Sequence, residues 1–194
     1  DTLLSKFSKE IVAVGECGLG YYRIKHERLQ NRRSIFALQK RMLTGCIELA
    51  LKHEKPLVLH CRDENGDKQA EAEMLDLLVK VGNSRVKGVF HSYTGSVSYF
   101  EDILALGYYV GFNGIITYRN ADNVPELFDA TPDERLLLET DSPYLVPNNL
   151  RSRGVKTCEP AFVQEVAEFA AKRRKTQPER LWKVIEGNAH DLFL

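Results

Sequence analysis

The chain has 194 residues, 43% of them hydrophobic and 28% charged, which fits one globular domain over residues 1–194 with a sizeable core. Its 27 basic and 27 acidic side chains cancel, so no bulk positive field points to nucleic acid, and any polyanion site has to come from local clustering. Cys17, Cys46, Cys61 and Cys158 show no Cys-x-x-Cys spacing and suggest neither a disulfide framework nor a zinc knot, so a reducing, cytoplasmic compartment is the simpler expectation.

Nothing at the amino end reads as a signal peptide, and no apolar run is long enough to span a bilayer. The chain opens without Met and almost directly on a strand, which reads as a fragment or a processed form. Ile11-Val12-Ala13-Val14-Gly15 is the first expected strand, and a loop over 16–27 rich in Gly, Tyr and basic residues follows it. Leu29, Phe36, Leu43, Ile47 and Ala50 recur at helical spacing and predict a long helix over about 28–53. Pro56 then opens a strand over 57–60. Ala70, Met74, Leu77, Leu78 and Val81 predict a helix over about 67–81, ended by Gly82-Asn83.

A third strand is expected over 86–91. Ser96 is a good N-cap for a helix over about 96–106. Strands over 108–112 and 135–140 flank a short helix near 122–130. The loop 141–158 holds Pro143, Pro147, Arg151, Arg153 and Lys156, and a loop of that length is usually functional. Pro160 suits the first turn of a further helix, and Thr176-Gln177-Pro178-Glu179 reads as a capping box for the last one, about 177–188. Strand-helix alternation with strands apolar throughout predicts an α/β fold, a parallel sheet covered by helices. Periodicity alone leaves an open sheet and part of an eight-stranded barrel both standing, but no G-x-G-x-x-G or P-loop pattern supports a nucleotide-binding open sheet.

Four of these strands run into a metal-ligating residue type: Glu16, His60, His91 and Asp141. Each alone has a bland explanation, a turn cap for the carboxylates and a backbone-bonded imidazole for the histidines. Together they would converge on the carboxyl end of one parallel sheet, where sites are built. Four uncompensated polar groups there are costly unless they share a partner, and mixed N/O ligation suits a divalent ion such as Zn, Mn, Fe or Co. Arg62 lies two residues past His60 and so faces the same side; it binds either an anionic substrate group or a neighbouring carboxylate. Tyr93, Thr94 and Gly95 after His91, and Asn113 after the fourth strand, line a site or simply form turns. Tyr21, Tyr22, Arg23, Lys25 and His26 interleave aromatic and basic residues, as a single-strand nucleic-acid surface does, or else form a solvated loop. The run Lys172-Arg173-Arg174-Lys175 reads as a solvated helix face.

The ordered motifs resemble the TatD-like metal-dependent deoxyribonucleases, a branch of the amidohydrolase superfamily. They are Val14-Gly15-Glu16-Cys17-Gly18-Leu19, Leu59-His60-Cys61-Arg62, Phe90-His91-Ser92-Tyr93-Thr94-Gly95-Ser96, Tyr109-Val110-Gly111-Phe112-Asn113-Gly114, Leu138-Glu139-Thr140-Asp141-Ser142-Pro143-Tyr144-Leu145, Glu159-Pro160 and Asn188-Ala189. The resemblance covers nearly the whole chain. It implies a (β/α)8 TIM barrel with metals at its C-terminal face, and divalent ions (Mg, Mn or Zn), two per intact site. It implies Glu16, His60, His91 and Asp141 as ligands, with Glu16 and Asp141 catalytic and Asp141 the base that orients the attacking water. Arg62, Tyr93 and Asn113 would contact substrate, Arg62 near the scissile phosphate. The implied activity is hydrolysis of DNA, including 3′-5′ exonuclease action, with DNA as partner; no oligomer is indicated.

Two departures qualify these expectations. No His-x-His pair, which the family carries on its first strand, occurs in this sequence, and Gly20 stands where the family has Asp. The five strands look like about the last five βα units of the barrel, with roughly three absent from the amino end. In this form the chain is therefore expected to bind metal weakly and to hydrolyse DNA poorly. A non-catalytic nucleic-acid or partner-binding remnant, or an amidohydrolase acting on another ester or amide, are the alternatives.

Overall fold

The computed structural model describes residues 1–22, 24, 27–63 and 67–194, without the side chains of residues 29 and 30. Arg23, Lys25 and His26 of the aromatic-basic loop lie outside the described residues. Helices α1 (Thr2–Lys6), α2 (Leu29–His53), α3 (Gln69–Lys80) and α4 (Val97–Ala105) alternate with strands β1 (Val14–Gly20), β2 (Leu57–Arg62) and β3 (Gly88–Phe90). Strand β4 (Tyr109–Phe112), α5 (Val124–Ala130) and β5 (Leu136–Leu138) come next, and α6 (Asn148–Arg151), α7 (Val163–Arg173) and α8 (Pro178–Phe193) follow in succession. The chain divides into two compact units. Residues 1–91, 95–108 and 192–194 form the first, and residues 92–94 and 109–191 form the second.

In the first unit β1 pairs parallel with β2, and β2 parallel with β3. Leu57, Leu59 and Cys61 of β2 point into the core, and Val58, His60 and Arg62 take the other face, the period-2 alternation of a strand. The expected face of α2 is the buried one: Leu43, Ile47 and Ala50 are in the core, and the Phe36 ring stacks on Tyr21 with centroids 3.8 Å apart. Helix α3 buries Ala70, Met74, Leu75 and Leu78. Its first turn is capped by Asp63, whose carboxylate accepts from the N–H groups of Ala70 (2.7 Å) and Glu71 (3.0 Å). Burial of the Asp63 carboxyl pushes its pKa up and outweighs those two bonds. Ser96 is the N-cap of α4, as expected, but its side chain makes no capping bond; its backbone N–H donates instead to Glu71 Oε1 at 2.8 Å.

The first strand departs from expectation. Ile11, Val12 and Ala13 precede the ladder, which begins where the Val14 N–H bonds the Pro56 carbonyl and continues to Gly20. Glycine explains the shift. Gly18 packs so closely on β2 that a Cβ would sit 1.8 Å from the His60 carbonyl oxygen, so only Gly lets β1 approach there. The register passes from Val14 opposite Leu57 to Cys17 opposite Leu59, which leaves Gly15 and Glu16 together opposite Val58, a β-bulge.

In the second unit β4 and β5 pair parallel, Val110 opposite Leu136 and Phe112 opposite Leu138. Asn188 on α8 is buried, and its Nδ2 donates to the carbonyls of Asp133 and Leu136, both at 2.7 Å, which ties that helix to the start of β5. The basic run at the end of α7 is not a plain solvated face. Arg173 grips the Asp129 carboxylate with two nitrogens. Arg174 pairs with Asp133 at 2.6 Å and donates to the carbonyls of Phe128 and Thr131. The two arginines staple the end of α7 to α5 and the turn after it. The expected loop 141–158 contains α6 and is anchored by its own small core of Val146, Leu150 and Cys158, with Val155 and Phe162 against it.

Candidate active site

Glu16 sits inside β1, in the bulge, rather than after the end of a strand. A bulge re-aims its side chains, and Glu16 Oε1 lies 3.0 Å from His60 Nδ1 and 4.0 Å from His91 Nε2. His60 is carried by β2, two residues before its end, and His91 directly follows β3. The His91 N–H continues the ladder by donating to the Leu59 carbonyl at 2.9 Å. Three consecutive parallel strands thus bring one carboxylate and two imidazoles together. The Glu16 and His60 side chains are 51% and 41% exposed, open to a ligand, and that of His91 is 13% exposed.

The donor chemistry is nitrogen and oxygen. Cys17 adjoins Glu16, but burial, then the neighbouring Cys46 thiol, push its pKa up to about 12, and burial pushes the Cys61 thiol well up. Neither supplies a thiolate near neutral pH. Among the described residues no group of three or more His, Cys, Asp and Glu side chains is arranged to hold a metal ion. The N/O donor set suits a divalent ion in type, and its arrangement does not close around one.

Arg62 follows His60 at i+2 on the same face, as expected, and its guanidinium lies over the Tyr22 ring, 4.4 Å from the centroid. Asp141 belongs to the second unit, three residues beyond β5, and its carbonyl accepts the Tyr144 N–H at 2.7 Å. Tyr93 is fully buried, with its N–H bonded to the Gly111 carbonyl, the placement of a core residue. Asn113 is also buried. Its Nδ2 donates to Ser92 Oγ at 2.8 Å, and its Oδ1 accepts from Ile115 N–H, so both ends of the amide hold loops.

Glu139 is a residue that the sequence reading passed over. Its Oε1 accepts the Ser92 N–H at 2.5 Å, and its carboxylate lies so close to Gly111 that a Cβ there would meet it at 2.9 Å. Ser92 has a positive φ of 49°, so this carboxylate holds a bent residue that immediately follows His91. The signal was present: Glu139 and Asp141 are two apart at the end of an extended segment, and residues two apart share a face.

The chain matches the family model described as "TatD related DNase" over residues 2–194. It is 31% identical over 185 residues to the "Uncharacterized metal-dependent hydrolase YabD" of Bacillus subtilis (strain 168), covering 95% of this chain and 66% of that protein. It is 36% identical over 189 residues to the "3'-5' ssDNA/RNA exonuclease TatD" of Edwardsiella piscicida, covering 96% of this chain and 67% of the relative. The chain thus spans about two thirds of the length of these curated relatives. The crystal structure of YJJV, a TatD homologue from Escherichia coli K12, superposes with a TM-score of 0.81 at 25% identity, over 99% of this chain and 67% of that one. The chain is thus an α/β fold of parallel strands whose solved neighbours are TatD-type structures. The family match runs from residue 2 to the end and lends no support to the expectation that amino-terminal barrel units are absent.

Proposed function

Because the chain belongs to the TatD related DNase family, we propose that its residues 1–194 form one domain of a metal-dependent hydrolase that cleaves phosphodiester bonds of DNA, stepwise from the 3′ end. The observation that carries the reading is the meeting of Glu16 with His60 and His91, brought together by three consecutive parallel strands. The names of the relatives, metal-dependent hydrolase and 3'-5' ssDNA/RNA exonuclease, point the same way. Glu16, His60, His91 and Asp141 are the residues proposed to hold Mg, Mn or Zn. A bound divalent ion would supply a water acidic enough to ionise near neutral pH and would offset charge on phosphate oxygens.

Asp141 is proposed as the base toward that water, and Arg62 as the cation that receives the scissile phosphate. Arg62 suits that part because stacking on Tyr22 orients a planar guanidinium for bidentate contact. Tyr93 and Asn113 are proposed to act on substrate through the loops that they hold, since both side chains are buried. A cytoplasmic location accompanies this reading, in keeping with four cysteines that are all free thiols.

The test is hydrolysis of a labelled single-stranded DNA by this chain with Mg, Mn or Zn. The expected result is slow, metal-dependent release of mononucleotides, stopped by a chelator and lost in Asp141→Ala. A chain inert with all three ions, or a rate that Asp141→Ala leaves unchanged, overturns the assignment.

A further inference from the structure

The loop that follows Asp141 is built, not slack. The Tyr144 N–H bonds the Asp141 carbonyl, the Cys158 N–H bonds the Pro143 carbonyl at 3.0 Å, and the Asn148 N–H bonds Thr117 Oγ1 at 2.8 Å. Gly114 lets the loop lie directly on the turn after β4, where a Cβ would meet the Leu145 carbonyl at 2.2 Å. On this ordered frame Tyr144 is 69% exposed, a large aromatic ring left out of the loop's own core.

Two cavities open beside it. One, of about 620 Å³, lies against Tyr144, Leu145, Val155 and Lys156. The other, of about 480 Å³, lies against Arg119, Asn120, Asn148 and Ser152. Tyr118 and Arg151 line both. The Arg151 guanidinium sits 5.0 Å from the Tyr118 ring centroid, and Tyr118 Oη donates to the Val146 carbonyl at 2.9 Å, so this shared wall is fixed at both ends. Both volumes fall in the range of small-ligand sites, ~300–1,000 Å³. Among the described residues three cations and no carboxylate line the pair. A mainly apolar compartment with an exposed aromatic ring, next to a more polar one with Arg119 and Arg151, matches a group that is aromatic at one end and anionic at the other.

We propose that the loop 143–156 carries a nucleotide subsite, in which one base of a single nucleic-acid strand stacks on Tyr144 in the apolar cavity and the adjoining phosphate lies between Arg151, Lys156 and Arg119. The subsite deepens the nuclease reading above and rests on it for the identity of the strand. The short turn from Asp141 to Tyr144 sets the stacking ring three residues along the chain from the proposed base catalyst. Exposed aromatics with interleaved cations bind single strands without sequence preference, because every base has a π face. Oligothymidylate and oligouridylate are therefore both expected to bind.

The test is fluorescence anisotropy of labelled hexathymidylate with the 194-residue chain, a chelator present to stop hydrolysis. Tyr144→Ala is expected to weaken binding about 10-fold and Tyr144→Phe to stay within about twofold, since a stacked base contributes a factor of roughly 5 to 150. An abasic deoxyribose-phosphate hexamer is expected to bind wild type and Tyr144→Ala alike. Arg151→Gln is expected to lower the slope of log affinity against log salt by about 0.7, one phosphate contact on a single strand. Equal binding of hexathymidylate by wild type and Tyr144→Ala overturns the subsite, as does an equal loss on the abasic strand, or a wild-type chain that binds no oligonucleotide. Hydrolysis measured separately tells the two readings apart: Tyr144-dependent binding without hydrolysis leaves the subsite standing and removes the nuclease, and hydrolysis without Tyr144 dependence does the reverse.

Discussion

Gly18 shows how a single residue sets the candidate site. Its missing side chain is what lets β1 lie on the His60 backbone, and that contact fixes both the bulge that aims Glu16 and the position of His60. Gly18→Ala forces the strands apart. It is expected to destabilise the chain by on the order of 3 kcal/mol, the upper range for overpacking, read as a lowered urea midpoint. Glu73 gives a second residue-level expectation. Burial raises its pKa, but bonds from Gln69 and Tyr21 and the Lys40 ammonium at 3.1 Å outweigh it and hold the carboxyl below its usual range. A depressed carboxylate contributes stability above its unfolded pKa and loses it as pH falls through the folded one. The difference in melting temperature between wild type and Glu73→Gln is therefore expected to be largest near pH 6 and to vanish toward pH 3; a difference constant across that window counts against the cluster.

At the scale of elements, side chains that reach across the fold decide where helices end and dock. Asn188 serves two carbonyls at once, of Asp133 and Leu136, at the entrance to β5. Asn188→Leu leaves both without that donor in a buried place, and a loss of about 1–3 kcal/mol of stability follows. Thermal unfolding of the variant checks it, and an unchanged midpoint would show that α8 docks by apolar packing alone. The arginine staple teaches a related lesson. Four consecutive basic residues look solvated in a sequence, yet Arg174 is mostly buried, because Asp133 and two carbonyls wait for it on the neighbouring turn. Nothing local to residues 172–175 announces those partners, since Asp129 and Asp133 lie more than forty residues away.

For the whole molecule the proposed metal use has a consequence that does not depend on catalysis. An ion that binds only the folded chain stabilises it by RT ln(1 + [L]/Kd), about 2.7 kcal/mol at a hundredfold excess over Kd. Addition of Mn or Zn is expected to raise the melting temperature of the wild-type chain. Glu16→Gln, which removes the carboxylate shared by two imidazoles, is expected to abolish that rise. A rise that survives the substitution would place the ion elsewhere.

The alternation of apolar strands with amphipathic helices was legible in the order of residues, because burial on both faces demands near-continuous apolar strands and one-sided burial demands a helical period. Four of the five strands and most of the longer helices follow from that alone, within a few residues. Residue type also marked Glu16, His60 and His91 as partners, and the tertiary structure brings these three together. The sequence did not disclose that β1 starts at Val14 and bulges at Glu16, since register depends on how closely two backbones approach and Gly18 reveals that only against His60. Nor did it disclose that Tyr93 and Asn113 turn inward, that Glu139 holds the Ser92 backbone, or that Tyr144 stays outside the loop's core. Each of those is a choice between burial and exposure for a residue that tolerates both, and only packing against residues distant in the chain makes the choice.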